Sequence, residues 1–206
     1  GRFYLTESVE PLIYDLMGGA KRFGIPQRFY TDNGAAYSSR HLKIICAKNG
    51  INLVHTPPHK PQGRGKVERF FRTVRDQLLC DKFKTVDQIN AAFKIWLAHY
   101  HETIHSSLEC SPLQKRLQTR NCCRVLPPSA DIESLFRMER RCRVYKDSTI
   151  RFKTKQYEVS GSLPGSRVTI YYMPWDTDTI YYGDDMKKAR ITDHGANARR
   201  FEHPGQ

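Results

Sequence analysis

The sequence predicts an α/β domain followed by a small all-β domain. Over residues 1–118, short apolar runs alternate with amphipathic helical stretches, the pattern of a sheet covered by helices. Over residues 131–192 helical periodicity is absent, and turns containing Gly or Pro separate strand-like runs, which favours a small barrel. At residues 119–130 an adjacent Cys pair precedes two Pro, so we predict a linker there, and a loosely ordered tail at 193–206.

The elements of the first domain follow from apolar spacing. A stripe at the i, i+3, i+4, i+7 spacing indicates a helix, and a short apolar run between turn signals indicates a strand. We predict, in chain order, a strand at 2–6, a helix ended by Gly24, a strand ending at Asp32, a helix at 39–49, a strand at 51–56, a helix at 65–79, a helix from Thr85 and a short helix after Ser111. The helix at 65–79 is expected to bury an apolar stripe made of Val67, Phe70, Phe71, Val74 and Leu78.

Five strand-like runs predict the second domain. They are TIRFK, KQYEVS, RVTIYYM, DTIYYG and KKARIT, and turns such as GSLPGS and PWDTD separate them. The segment RMERRCRVYK at 137–146 precedes them and is the densest basic patch of this half. Two interpretations of this patch stay open, a solvated helix end and a DNA contact.

The chain is strongly basic, with a net charge of +13. Such an excess of Lys and Arg favours a polyanionic partner such as nucleic acid, and the alternative is a basic surface without a specific partner. There is no membrane-length apolar run and no signal-peptide pattern, so we expect no membrane partner and a cytoplasmic location. The six cysteines form no CxxC pair, which favours free thiols, and His99, His101 and His105 lack the partners that a zinc site needs.

Asp32 lies in the stretch YTDNGAAYSS, residues 30–39. By local rules Asp-Asn-Gly is a hairpin turn. However, Ser38 and Ser39 are good helix caps, and the residues after them have helical spacing, so a helix rather than a return strand follows. A carboxylate at the C-terminal tip of a strand lies where α/β sheets place their binding sites. Asp32 is therefore a candidate site residue.

Glu68 lies in the first turn of the predicted helix at 65–79. The ordinary explanation is an i, i+4 surface pair with Arg72, worth a few tenths of a kcal/mol, in a position that also suits the helix dipole. Taken with Asp32, from which 35 residues separate it, Glu68 favours a different function. Two carboxylates brought together by a fold suit Mg²⁺, and two such ions can activate an attacking hydroxyl and stabilise a leaving oxygen.

Several stretches resemble a known family. The stretch YTDNGAAYSS, the 35-residue gap and the stretch PPHKPQGRGKVERFFRTVRDQ resemble the integrase catalytic core of DDE transposases and retroviral integrases. HSSLECSPLQKR resembles the region just after that core in bacterial members, and TIRFKTKQYEVSGSLPGSRVTIYY resembles the C-terminal β-barrel of Mu-type transposases. Together the resemblance covers nearly the whole chain.

The resemblance implies an RNase H-like integrase core at 1–118 and a Mu-transposase-like barrel at 131–192. It implies a polynucleotidyl transferase that cuts and joins DNA with two Mg²⁺ or Mn²⁺ ions. Asp32 and Glu68 match the second and third acids of the catalytic triad and would be both catalytic residues and metal ligands. It also implies transposon ends and target DNA as partners, a homo-oligomer, and a bacterial, nucleoid-associated protein.

One part of the family pattern is not matched. GRFYLTES resembles the third strand of the fold, so the first two strands and the first catalytic Asp are expected upstream, and the chain is expected to be an inactive, N-terminally truncated fragment. Glu7, Glu10 and Asp15 match nothing in the motif.

Candidate DNA-binding residues surround Glu68, and they are Lys60, Arg64, Lys66, Arg69, Arg72 and Arg75. At about 100° per residue, Arg72 and Arg75 share the face of Glu68, and Arg64 falls near it, so these three are expected to touch phosphates. Lys66 and Arg69 point further round and are equally well explained as solvated.

Two alternative functions stay open. A non-catalytic DNA-binding or assembly module would use the basic surface and the barrel without metal chemistry. A different RNase H-like nuclease would cut DNA without joining it, and parallel nuclease and strand-transfer assays would distinguish it.

Overall fold

The computed structural model describes residues 1–56, 65–80 and 82–192, and the chain divides into two compact units, Gly1–Ile132 and Glu133–Gln206. The elements of the first unit are α1 (Val9–Phe23), β1 (Arg28–Thr31), α2 (Arg40–Lys48), β2 (Asn52–His55), α3 (Gly65–Gln77), α4 (Val86–Glu102) and α5 (Pro112–Gln118). Among the residues described, no helix combines the length and the hydropathy needed to span a membrane.

The sheet of the first unit is a parallel pair formed by β1 and β2. The register runs from Arg28 opposite Asn52 to Thr31 opposite His55, and α2 makes the connection between the strands. A parallel pair needs such a crossover connection, which the helical spacing after Ser39 predicted. Because the strands are parallel, both C-terminal ends lie at the same edge of the sheet, and Asp32 follows one of them.

Helices α1 and α2 form as the apolar stripes predict. Buried faces contain Ile13, Met17 and Ala20 in α1 and Leu42, Ile45 and Cys46 in α2. The Ser39 hydroxyl accepts a hydrogen bond from the Leu42 N–H at 3.2 Å, which satisfies one of the free donors at the start of α2. The prediction that Gly24 ends α1 is also confirmed, because Gly24 is its C-cap residue with φ +91°.

An aromatic cluster holds α3 against α4. Val74, Leu78 and Phe93 are its buried centre. Trp96 stacks on Phe93 with ring centroids 5.9 Å apart and on Tyr100 at 5.0 Å. Each such ring pair contributes about 0.5–1.5 kcal/mol beyond the area that it buries, so this cluster fixes the angle at which α3 presents its charged side chains.

The predicted strand at 2–6 is wrong, since this segment pairs with no strand among the residues that the structure describes. Instead, the side-chain amide of Asn90 in α4 pairs with the backbone of Phe3. The Phe3 N–H donates to Asn90 Oδ1 at 2.7 Å, and Asn90 Nδ2 donates to the Phe3 carbonyl at 3.0 Å. One amide thus supplies the hydrogen bonds that a neighbouring strand would otherwise give.

The buried stripe predicted for α3 is correct only in its second half. Val74 and Leu78 are 3% and 4% exposed, whereas Val67 and Phe71 are 49% and 56% exposed. The core partner Phe93 lies beside Val74 and Leu78, so the apolar side chains nearer the start of α3 have less core to pack against.

In its described part, up to residue 192, the second unit contains two antiparallel sheets. Helix α6 (Ile132–Phe136) begins at the boundary between the units and precedes β3 (Met138–Arg143), β4 (Thr149–Phe152), β5 (Lys155–Glu158), β6 (Arg167–Met173), β7 (Asp176–Tyr182), β8 (Lys187–Lys188) and β9 (Arg190–Ile191). One sheet has the order β3-β6-β7-β8 and the other β4-β5-β9. The chain is therefore a mixed α/β protein, and the RNase H-like and barrel assignments stay predictions.

The basic segment at 137–146 is a strand rather than a helix end. Met138 and Cys142 are buried while Glu139, Arg140 and Arg141 are exposed along β3. Four Arg in seven residues obscure the buried positions, so the strand has little apolar signal in the sequence.

Candidate functional site

The Asp-Asn-Gly turn follows β1 and is bonded to the end of β2. The Gly34 N–H donates to Asp32 Oδ1 at 2.9 Å, which orients the carboxylate within the turn. Asn33 Nδ2 donates to the Thr56 carbonyl at 3.0 Å, so the two strand ends are joined by a side chain. A Cβ at Gly34 would lie 3.0 Å from Asp32 Oδ1 and 3.3 Å from the Tyr37 ring, so a side chain here would press on the carboxylate that this turn orients.

Further hydrogen bonds fix the strand ends behind Asp32. The Thr56 N–H and hydroxyl both donate to the Thr31 carbonyl, at 2.8 and 3.0 Å. His55 Nδ1 lies 3.0 Å from the Asp32 carbonyl and 3.2 Å from Thr31 Oγ1. Because a carbonyl can only accept, His55 Nδ1 is the donor to the Asp32 carbonyl in this arrangement.

Asp32 lines a cavity of about 590 Å³ within the first unit. Other walls come from the N-terminal segment, from residues 34–37 and from the rings of Phe70 and Phe71 on α3. Glu7 and Asp15 also line it, although neither matches the motif of the resembled family. The Tyr4 hydroxyl donates to Asp15 Oδ1 at 3.1 Å, and burial together with this carboxylate raises the pKa of Tyr4 to about 12.

Glu68 lines a separate groove of about 730 Å³ between α3 and the segment that follows α4. Arg69 and Arg72 lie beside it on α3, and the opposite wall consists of Tyr100 and residues 103–107. The Tyr100 ring packs edge-on against His105 with centroids 4.5 Å apart. Asp76 lines the groove too, so two carboxylates and two guanidinium groups lie at its surface.

The candidate DNA-binding residues differ in whether the structure describes them and in whether they line the groove of Glu68. Lys60 and Arg64 lie outside the described residues. Arg69 shares the groove of Glu68, although the helical wheel placed it further round, whereas Arg75 does not line the groove.

The other predicted features of α3 can be compared with the structure directly. Lys66 is exposed in its first turn. Glu68 and Arg72 form no salt bridge with each other within the described part of the chain, so the simple surface pair is not present.

The described residues provide the correct donor chemistry for Mg²⁺ but not a complete site. Carboxylate oxygens are the ligands that Mg²⁺ prefers, and Asp32 and Glu68 both carry them. The two residues line different recesses, the cavity and the groove. Within residues 1–56, 65–80 and 82–192, no three His, Cys, Asp or Glu side chains are grouped so that they could hold a metal ion.

Sequence reasoning missed the residues that position Asp32 and the far wall of the groove. Asn33 was read as a turn residue, and its bond to Thr56 depends on a strand 23 residues away. His105 was considered only as a zinc ligand, but its ring supports Tyr100 and its backbone N–H donates to the Cys110 carbonyl.

The chain is similar to the TnsB C-terminal domain family, to a transposase and to a viral polyprotein. The model of the TnsB C-terminal domain family matches residues 20–82, a range that contains both Asp32 and Glu68. The transposase for transposon Tn552 of Staphylococcus aureus is 26% identical over 203 residues, covering 87% of this chain and 42% of that protein. The Gag-Pro-Pol polyprotein of sheep pulmonary adenomatosis virus is 38% identical over 76 residues, which is 37% of this chain and 4% of the polyprotein.

A similar solved structure is the simian T-cell lymphotropic virus intasome in complex with PP2A regulatory subunit B56 gamma. It is 14% identical, covers 92% of this chain and 66% of that chain, and has a TM-score of 0.47, so no conclusion about the fold rests on it. The sequence similarities are thus to the TnsB C-terminal domain family and to a transposase. The chain spans less than half the length of the Tn552 transposase.

Proposed function

We propose that this chain is part of a DDE-type DNA transposase, which cleaves and joins DNA strands with Mg²⁺ or Mn²⁺. The observation that carries the proposal is the position of Asp32. Its carboxylate lies at the C-terminal end of a parallel strand, oriented by Gly34, within the range that matches the TnsB C-terminal domain. The partners would be transposon ends and target DNA, and the protein would act as a homo-oligomer. The two units would correspond to an RNase H-like core and a Mu-transposase-like barrel.

In this proposal Asp32 and Glu68 hold the ions, together with the third carboxylate that the resemblance expects. The bound ions would activate the attacking hydroxyl and stabilise the leaving oxygen. Asn33 and Gly34 would fix the direction of the Asp32 carboxylate through the bonds described above. Arg69 and Arg72 would neutralise DNA phosphates along the groove.

The proposal requires that Asp32 and Glu68 bind the same ions although they line different recesses. Glu68 is in the first turn of α3, and residues 57–64 before it lie outside the described part. If the two carboxylates share a site, removing either one should abolish most of the binding, and removing both should add little. Such non-additivity is the signature of residues that act as a unit.

The test is Mn²⁺ binding to this chain, followed by the electron paramagnetic resonance signal of the free ion. Asp32→Asn, Glu68→Gln and the double variant are compared with Glu102→Gln, an exposed acid at the end of α4. We expect each single variant to weaken binding at least about tenfold, the double variant to resemble the weaker single one, and Glu102→Gln to bind as the unchanged chain does. Binding that is equal in all four variants would refute the shared site.

A non-catalytic DNA-binding module is the second candidate, and the exposed face of β3 is the observation that favours it. β3 is an edge strand, and its Arg141 and Arg143 are exposed at alternate positions that share one face. Arg143 lies opposite the exposed Arg167 of β6. DNA binding that needs no divalent cation, is lost in Arg141→Ala/Arg143→Ala and survives Asp32→Asn/Glu68→Gln would favour this function.

A further inference from the structure

Residues 121–124, within the predicted linker, belong to the first unit and are bonded to residues of that unit that are distant from them in the sequence. Arg124 and Ile25 form an antiparallel bridge in which the Ile25 N–H donates to the Arg124 carbonyl at 2.9 Å and the Arg124 N–H donates to the Ile25 carbonyl at 2.8 Å. The Arg124 guanidinium also donates to the Asn49 carbonyl at 2.9 Å. Arg124 therefore joins two points that are distant from it in the sequence. We call residues 121–124, with these contacts, the clasp.

The surface under the clasp is shaped for a close approach of two backbones. Gly24 has φ +91°, and a Cβ there would lie 2.7 Å from the Arg124 carbonyl oxygen and 3.2 Å from Cys123 Cβ. Any side chain at this position would push the clasp away. The Asn121 amide donates to the Phe23 carbonyl at 3.3 Å, and Arg116 lies 3.9 Å above the Phe23 ring. Several independent contacts thus hold residues 116–124 against the C-terminal end of α1.

The clasp contacts the entry to each of the two parallel strands. Ile25 is 2% exposed and precedes β1, while Asn49 is 1% exposed and leads through Gly50 and Ile51 into β2. The opposite ends of the same strands carry Asp32 and Thr56, which the Asn33 side chain connects. Each strand has four residues, about 13 Å of extended backbone, and lies between the clasp and the turn that holds Asp32.

A sheet of two short strands is marginal on its own and needs packing or extra bonds to stay in register. The Asn33 bond supplies one such connection at the C-terminal edge, and the clasp supplies another at the N-terminal edge. We propose that Arg124 is a positioning residue, and that the clasp keeps β1 and β2 in register and thereby fixes the Asp32 turn. This proposal concerns the geometry of the strand pair and does not depend on metal binding.

The experiment is residue-resolved amide hydrogen exchange of the whole chain, comparing Arg124→Ala with Arg120→Ala. Arg120 is the matched control, because it is an exposed Arg four residues away whose guanidinium has no hydrogen bond or ion pair with the strands in the described part of the chain. In Arg124→Ala we expect the amides of Ile25, Asn52 and Thr56 to exchange at least about tenfold faster. Amides in α3 and α4 should keep their exchange rates, and Arg120→Ala should change none of these sites.

Two outcomes would overturn the proposal. If all amides of the first unit accelerate by one common factor, Arg124 only adds general stability. If the amides of the two strands do not change, the clasp does not hold them.

A second variant tests the clasp without removing a charge. Gly24→Ala leaves Arg124 in place but forces the backbones apart. It should accelerate the same strand amides, and adding Arg124→Ala should then have little further effect, because both changes open one clasp. Arg124→Lys is used if Arg124→Ala does not fold. Lysine keeps the positive charge but has a single donor nitrogen in place of the guanidinium group, so a partial acceleration of exchange at the same amides is then expected. Unchanged strand amides in both Gly24→Ala and Arg124→Lys would contradict the proposal.

Discussion

Asn33→Ala tests whether the turn residue joins the two strands. The substitution removes the 3.0 Å hydrogen bond to the carbonyl of Thr56, a residue only 8% exposed. A typical protein hydrogen bond contributes about 0.5–1.5 kcal/mol, and a buried carbonyl left without a partner costs about 1–3 kcal/mol. Because Asn33 itself is exposed, water can reach the vacated position, so we expect a loss of about 1 kcal/mol of unfolding free energy.

The assay is urea unfolding followed by the fluorescence of Trp96. The chain has two Trp, and Trp175 belongs to the second unit, so the background variant Trp175→Phe makes the signal specific for the first unit. With a slope of about 1–3 kcal/mol per M urea, the midpoint should fall by about 0.3–1 M.

Ser38→Ala is the control for Asn33→Ala, because it removes only an exposed bond to the Asn33 carbonyl and should change the midpoint by far less. Equal midpoints for the two variants would refute a role of Asn33 in joining the strands.

Two further predictions concern ionisable groups. The pKa of Tyr4 is raised from 10.0 to about 12. Between these two pH values the folded chain keeps a proton that the unfolded chain has lost, so the stability of the first unit should decrease as the pH rises from 10.0 to about 12. Unfolding followed by Trp96 fluorescence should show this decrease, and Tyr4→Phe should make it smaller; identical pH profiles would contradict the assignment. Burial raises the pKa of the Cys46 thiol to about 11. A thiol reagent at about pH 8 should therefore modify the exposed Cys80 and Cys122 first, as peptide mass spectrometry can measure, and a fast reaction of Cys46 in the folded chain would be inconsistent with its burial.

Local signals predicted the elements whose bonds are local. The stripe of α1 and the cap at Ser39 involve residues three or four positions apart, so they can be read from the sequence. The capping box at Ser111 and Gln114 forms in both directions. At Thr85 only one of the two bonds of such a box forms, because the Thr85 hydroxyl accepts from the Gln88 N–H while the Gln88 side chain accepts from the N–H of Lys84.

The predictions that the structure contradicts concern residues whose partners are distant in the sequence. RFYLT has the composition of a strand, but its backbone bonds go to Asn90, 87 residues away. Val67 and Phe71 are exposed because the cluster between α3 and α4 is centred on Val74, Leu78 and Phe93. No pattern within α3 indicates where that cluster ends. For the candidate site, the position of Asp32 at a strand end followed from the sequence, whereas the separate recesses of Asp32 and Glu68 depend on the packing of α3.

The contact between Arg124 and Ile25 also constrains how the first unit folds during synthesis. The nearby contact between Asn121 and Phe23 closes a separation of 98 residues, and that between Phe3 and Asn90 closes one of 87. Such closures are slow steps, because the chain loses entropy before the new contacts repay it. The clasp, which we propose keeps β1 and β2 in register, can form only after residue 124 has left the ribosome. Before that point β1 and β2 lack the contacts of the clasp. Their open edges can then pair wrongly with other segments of the growing chain.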